Sequence, residues 1–470
     1  MTLVGRRRVT TRGTNVLANV VLSFVIKGAA LVVSLFTLPA YLRYFGNQQV
    51  LGLWFTLLSV LSWVLNFDLG LGNGLRNRLV GSLSAGEAVK TRKYISSSYG
   101  VFAGLVAALA IGVWLGFPHV NWNSIFNVPE NIVGNGALAR AATIAACGIL
   151  LQFELRLISS ILYALQKAAM VSFISLVTSV GILAFVSTAG SGTIEHNLTI
   201  LALAYVVAVN VPLIVASVVV FATSLRSCAP SPRWFDRSYA FDVLRFGGAF
   251  FLIQVLYMLI TGTDPFLISW LTDPKYVVDY QIYSRPFNLV STIAALALAP
   301  VWSAVTKAFA EGDSAWIGRL YLRLRLMALI AAFCLVVFSF FLQAFVDVWL
   351  GRHAITIDRL YALVFAVSAG MFLWNGVVSS IVNGMGRLRL QSLLLAVGVA
   401  LKFPLALVLV GRGGWIWVAA VNVIALLPYC VIQPIWIGRY LREIRERPQS
   451  HSPTANPESG TSQVCDESGL

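Results

Sequence analysis

Residues 168–188, AAMVSFISLVTSVGILAFVST, and 198–222, LTILALAYVVAVNVPLIVASVVVFA, are two apolar runs joined by the polar turn AGSGTIEHN, and neither run contains Asp, Glu, Lys or Arg. Crossing about 30 Å of hydrocarbon takes roughly 20 mostly apolar residues at about 1.5 Å each, so the pair forms a hairpin of two membrane-spanning helices. Working outward, the same unit recurs in both directions. Spans are expected near 16–40, 50–72, 96–116, 141–164, 168–188, 198–222, 246–270, 277–303, 324–346, 358–382, 391–411 and 415–437. The fold class is therefore all-α and polytopic, with about twelve transmembrane helices.

The composition agrees. Of 470 residues 58% are hydrophobic and only 11% charged, so the chain cannot surround one core with a watery surface. The 13 Trp lie mostly near the ends of apolar runs, at headgroup level. A net charge of +15 raises the possibility of nucleic acid, but the basic residues fall in short loops between spans rather than on one soluble face, so no nucleic-acid partner is expected. Cys147, Cys228, Cys334, Cys430 and Cys465 give neither a disulfide framework nor metal spacing, and His119, His196, His353 and His451 are scattered over loops and tail. No metal, cofactor or catalytic triad is expected. Arg6-Arg7-Arg8 precedes a run long enough to span, with no small-residue cleavage site after it, which indicates an uncleaved first helix behind a basic arm.

Basic loops resist translocation, and with the N-terminus inside, the inner segments hold 24 Lys and Arg against 6 in the outer ones. Moving the helix count by one destroys that bias, so both termini are expected in the cytoplasm of a bacterial inner membrane. Internal similarity divides the chain. Pro39 aligns with Pro265, Trp54 with Tyr280, Ser59 with Arg285 and Gly86-Glu87 with Gly312-Asp313, while Ser159-Ser160-Ile161 aligns with Ser379-Ser380-Ile381 and Lys167 with Arg387 at nearly the same offset. Two six-helix lobes related by an axis along the membrane normal follow. The expected organisation is a basic arm 1–15, an N-terminal lobe 16–222, a cytoplasmic linker 223–245, a C-terminal lobe 246–437 and a cytoplasmic tail 438–470, too polar to order itself beyond about 448. The longest outer loop, 117–140, carries Trp122, Phe126 and Pro129 and is expected to form a short interfacial helix.

From Pro39 to Asn77 the chain passes through YFG, through Gly52-Leu53-Trp54 at the start of the second span, and through Asp68-Leu69-Gly70-Leu71-Gly72-Asn73 at its end. This segment, with the helix count and loop rhythm of nearly the whole chain, resembles the polysaccharide transporter family: O-antigen and exopolysaccharide flippases of the superfamily that also holds MATE-type multidrug exporters and lipid II flippases. Lipid II flippases usually have fourteen helices, which this chain does not reach. The resemblance implies a V-shaped two-lobe transporter with a central cavity and coupling to H+ or Na+. The glycines of DLGLGNG also have a plain structural use, in turns and close backbone packing, and the spacing is not that of a phosphate-binding loop.

Ionisable groups inside a span cost at least about 2.5–3.5 kcal/mol at the bilayer centre unless paired or wet. Seven lie more than two residues inside the ends of the expected spans: Lys27, Asp68, Glu154, Arg156, Asp264, Arg285 and Lys402. Lys27 and Lys402 lie roughly 15 Å from the cytoplasmic face, near the midplane. Four cations against three acids favour an anionic group in the cavity, so Lys27, Arg156, Arg285 and Lys402 are the expected contacts to a diphosphate or acidic sugar. Asp68, Glu154 and Asp264 are the expected gating or ion-coupling groups. Asp68 lies next to Arg76 and Arg78 in sequence, as an ion-pair partner would, and Asp264-Pro265 has the form of a hinge. Snorkelling and private ion pairs are the competing reading for Lys27 and Arg156. Two polar stripes, Asn19/Ser23/Lys27 and Arg156/Ser160/Tyr163, suit a cavity wall.

The expected function is to flip a lipid-linked (diphosphate) oligosaccharide to the outer leaflet by alternating access, in O-antigen (lipopolysaccharide) or exopolysaccharide biosynthesis. Its partners are that substrate, membrane lipids and the polysaccharide polymerase machinery. A MATE-like multidrug exporter is the alternative, though its cationic substrates call for cavity carboxylates. A membrane polysaccharide polymerase or ligase is the other, but the short outer loops offer it no catalytic surface, so the protein is not expected to be an enzyme.

Overall fold

The computed structural model describes residues 4–66, 71–190, 192–352 and 354–446. The N-terminal lobe contains α1 (Val4–Phe45), α2 (Gln48–Asn66), α3 (Leu71–Ser84), α4 (Ala88–Gly116), α5 (Trp122–Phe126), α6 (Asn135–Leu155), α7 (Leu157–Ala164), α8 (Ala168–Thr188) and α9 (Ile194–Ala222). The C-terminal lobe contains α10 (Arg237–Thr261), α11 (Asp264–Leu271), α12 (Lys275–Ala310), α13 (Ser314–Phe340), α14 (Leu342–Leu350), α15 (Arg359–Met385), α16 (Leu388–Gly413) and α17 (Ile416–Glu446). Among the described residues 11 helices are long and apolar enough to cross a membrane. The remaining expected span, 277–303, lies within α12, whose 36 residues extend about 54 Å. The protein is a multi-pass membrane protein.

Several expected spans are interrupted. The span near 141–164 is split into α6 and α7 at Arg156, and the one near 246–270 is split into α10 and α11, with α10 beginning at Arg237. The expected helix in loop 117–140 is α5, and it packs against the protein. Trp122, Asn123 and Phe126 are buried, and the α5 end is tied to the other lobe: Ser269 donates to the Phe126 carbonyl at 2.7 Å and Asn127 to the Thr272 carbonyl at 2.7 Å.

The internal repeat is written in the backbone. After α3, Gly86 N–H donates to Leu83 and Glu87 N–H to Ser82; after α12, Gly312 donates to Phe309 and Asp313 to Ala308. Both pairs form the reverse turn that closes a helix C-terminus with one residue at positive φ, here +71° and +77°. The second aligned pair repeats it: Gln166 donates to Tyr163 and Lys167 to Leu162, Gly386 to Asn383 and Arg387 to Val382, with φ of +60° and +68°. The aligned loops are thus the same turns.

Each lobe is built on a helix of small residues. In α6, Ala137, Ala141, Ala142, Ala145, Ala146 and Gly148 are buried, which lets α9 approach until Asn210 donates to the Gly148 carbonyl at 3.0 Å. In α15, Ala362, Ala366, Ala369 and Gly370 play this part between α12 and α13. Large apolar side chains such as Trp114 and Phe333 instead remain about 70% exposed, at 72% and 69%, as expected of a surface solvated by lipid.

Candidate functional site: the lobe interface and its buried charges

Pro265 has no amide proton to give the preceding turn, and the seventh span breaks at Gly262-Thr263 between α10 and α11. The break frees carbonyls, and both lobes use them. From the N-terminal lobe, Ser59 Oγ and Trp63 Nε1 on α2 donate to the Gly262 carbonyl at 3.0 and 2.9 Å, and Thr56 Oγ1 reaches the Pro265 carbonyl at 3.4 Å. From the C-terminal lobe, the Lys402 ammonium on α16 donates to the Ile260 carbonyl.

Lys402 also donates to Asp264 Oδ1 at 2.6 Å, and the second oxygen of that carboxylate accepts from Asn422 Nδ2 at 2.6 Å and Tyr280 OH at 2.8 Å. The ion pair is sealed, with side-chain exposures of 0% and 1%. A cavity of about 20 Å³ adjoins Asp264, edged by Ser284, Asn288, Ser368 and Asn422, and has room for about one water. Two groups that the sequence placed in separate roles are therefore each other's partners. Tyr280 and Asn422, which complete the cluster, carry no charge, so a search for ionisable groups within spans does not find them.

Arg285, on α12, crosses in the opposite direction. Its guanidinium donates to the Ser34 carbonyl at 2.9 Å and Thr37 Oγ1 at 3.2 Å on α1, to Gln281 on its own helix at 3.4 Å, and lies 5.3 Å from the Phe55 ring centre. Ser59 and Arg285 are the residues matched by the internal repeat, and each reaches a backbone carbonyl of the opposite lobe. Gly52 sets the spacing between those lobes: a Cβ there would collide with the Pro274 carbonyl at the start of α12.

Lys27 donates to Ser175 Oγ at 3.0 Å, and Ser23 bonds Ser172 at 2.7 Å, so this part of the expected polar stripe ties α1 to α8, with Lys27 half-buried. Hydroxyls in a medium without water find partners across helices, which is why the stripe closed on itself. Asn19's side chain is outside the described set. Arg156 is exposed, donates to the Leu65 carbonyl at 3.3 Å, and is close enough for its charge to act on Lys27. Tyr163, on the other stripe, carries Arg76 over its ring at 5.2 Å. Glu154 is half-buried. Asp68 lies outside the described residues; of its expected neighbours, Arg78 reaches Asp242 of α10 at 2.5 Å, joined there by Tyr94 at 2.9 Å. Nearby, Lys93 meets Asp236 at 3.1 Å, and hydrogen bonds from Ser238 and then Lys93 hold that exposed carboxyl below its usual range. Gly74, from the DLGLGNG segment, backs closely onto the Val243 carbonyl, which gives this glycine its structural use.

Among the described residues, Lys27, Arg156 and Arg285 have no carboxylate partner, whereas Lys402 does. No group of three or more His, Cys, Asp or Glu capable of holding a metal occurs among those residues either.

Two repeated helical lobes, each with a span broken into two helices, meet through α2, α11 and α12 and make up a polytopic membrane fold. The fold resembles that of solved MATE-family transporters and of a lipid II flippase, and residues 182–355 match the family model described as "Polysaccharide biosynthesis protein". The inward-facing form of a MATE-family multidrug resistance transporter aligns with a TM-score of 0.70 at 14% identity, covering 91% of this chain and 99% of the other. The outward-facing form of a MATE-family transporter gives 0.60 at 14% identity, covering 91% and 96%. The lipid II flippase MurJ, in an inward closed conformation, gives 0.69 at 15% identity and 90% of both chains. No curated protein matches the sequence. The resemblance drawn from helix count and the DLGLGN segment is borne out by these matches.

Proposed function

We propose that this protein flips a lipid-linked diphosphate oligosaccharide across the bacterial inner membrane by alternating access, serving O-antigen or exopolysaccharide synthesis, with both termini in the cytoplasm. The observation that carries the reading is the charge balance. Three cations, Lys27, Arg156 and Arg285, have neutral hydrogen-bond partners, while the buried acid Asp264 is already neutralised by Lys402. A diphosphate supplies the missing negative charge, and guanidinium groups can fork onto its oxygens. We therefore assign substrate contact to Lys27, Arg156 and Arg285, and to Lys402 the holding of the α10–α11 break. Glu154, half-buried and without an ion pair among the described residues, is the better candidate of the acids for H+ or Na+ coupling.

A multidrug exporter of the MATE type shares the fold, but its cationic cargo would meet three like charges. Transbilayer movement of a lipid-linked oligosaccharide in proteoliposomes tests the choice. Wild type should flip it, and Arg285→Ala and Lys27→Ala should each lose activity by at least about ten-fold, the worth of one charge-assisted hydrogen bond. Wild-type rates in both variants would remove the site assignment, and export of organic cations without sugar flipping would favour the alternative.

A further inference from the structure

A groove of about 390 Å³ opens between α13 and α15, with α17 at its edge. Its lining is almost wholly apolar: Leu329, Phe333 and Val336 on one side, Val367, Met371 and Trp374 on the other. Ala332 and Gly370 set its narrow point, where a Cβ on Gly370 would come within 3.0 Å of the Ala332 methyl. From Ala328 to Val336 it runs about 12 Å along the helix axis.

One end of this groove is cationic. Arg325 sits one turn before Ala328 and Leu329, on the same helical face. Its guanidinium lies over the Trp374 ring at 5.2 Å and over Tyr321 at 5.4 Å. Its Nε is buried and has no hydrogen-bond partner among the described residues, and the buried Tyr321 hydroxyl also lacks one. Two unsatisfied polar groups at the mouth of an apolar channel ask for an acceptor there, since a buried donor left unmade is costly. In the expected topology Arg325 stands at the cytoplasmic edge of its span, where lipid phosphates lie, and the channel leads from it into hydrocarbon.

Resting on the proposed function, we infer that this groove holds the hydrocarbon chain of a single-chain polyprenyl phosphate lipid, with Arg325 and Tyr321 binding the phosphate. One narrow channel under one guanidinium matches one long chain beneath a compact anionic head better than the paired chains of a phospholipid. The flexible thioether of Met371 and the small residues at the narrow point suit a branched chain. The groove thus keeps the tail of the carrier beside the C-terminal lobe while the sugar head moves.

The test uses full-length protein in nanodiscs and a photoreactive polyprenyl phosphate, with adducts mapped by mass spectrometry. Adducts are expected on 328–336 and 366–374, displaced by unlabelled polyprenyl phosphate but not by phosphatidylglycerol, and reduced about ten-fold or more in Arg325→Gln. Val367→Trp, which narrows the channel without touching the charge, should also reduce them. Equal displacement by phosphatidylglycerol would make the groove an ordinary lipid seat and overturn the inference, as would adducts confined to other segments. Sugar flipping that persists without groove labelling sinks this inference alone, whereas groove labelling without flipping sinks only the functional reading.

Discussion

Trp63 and Gly262 belong to opposite lobes, and the indole N–H of the first donates to the carbonyl of the second at 2.9 Å. That carbonyl is available because the helix breaks ahead of Pro265, and the segment carrying it is held from behind by Lys402 through Ile260. The contact between lobes and the buried ion pair therefore share one short stretch of backbone. This joins a local event inside the C-terminal lobe to the separation of the two halves.

Removing the donors should loosen the lobes. Ser59→Ala with Trp63→Phe leaves the Gly262 carbonyl without either bond, and each lost bond is worth about 0.5–1.5 kcal/mol. The expected outcome is a larger fraction of separated lobes, read as a longer distance between spin labels at Glu130 and Arg352. An unchanged distance distribution would mean that these bonds do not hold the closed arrangement.

Gly52→Ala should have a stronger effect of the same kind. Its methyl would occupy the space of the Pro274 carbonyl, a backbone atom that cannot rotate away, so α2 and the start of α12 must part. Overpacking of this sort costs about 1–3 kcal/mol. Gly28→Ala, with open space around its Cβ, is the matched control and should behave as wild type in both spin-label distances and thermal unfolding.

Arg78→Ala should do much less. Arg78 and Asp242 also bridge the lobes, but with exposures of 41% and 36% their charges remain screened, and such pairs contribute about 0–1 kcal/mol. A thermal unfolding midpoint within a few degrees of wild type is expected, together with weak salt dependence.

Much of the architecture was legible because hydrocarbon imposes it. Span length and basic loops follow from the bilayer, and the repeat showed through Gly86 and Gly312, where helix ends need positive φ. The aligned pair Lys167 and Arg387 marked equivalent turns although Gln166 stands where Gly386 does. Depth along each helix could also be counted, which placed Lys27 and Lys402 near mid-membrane. Rotation about each helix, and which helices touch, could not. The Lys402–Asp264 pair spans 138 residues of sequence, and its neutral members Tyr280 and Asn422 leave no charge signature. Arg285 meeting α1, and Asp242 meeting Arg78, depend in the same way on contacts between lobes that only the folded chain supplies.

The buried pair gives the sharpest prediction. Lys402→Met removes the cation of a completely enclosed carboxylate, leaving Asp264 with only Asn422 and Tyr280 as donors. Breaking one side of a buried pair costs about 3–5 kcal/mol, so the variant should unfold at a markedly lower temperature. Lys402→Met combined with Asp264→Asn removes both charges, and a neutral amide can still accept from Tyr280, so much of that loss should return. If the pair also holds the α10–α11 break, the single variant should lengthen the Glu130–Arg352 spin-label distance at temperatures where it remains folded, and the double variant should restore part of it. A single variant as stable as wild type would show that Asp264 is held without its lysine, and the link from ion pair to lobe contact would then have no physical basis.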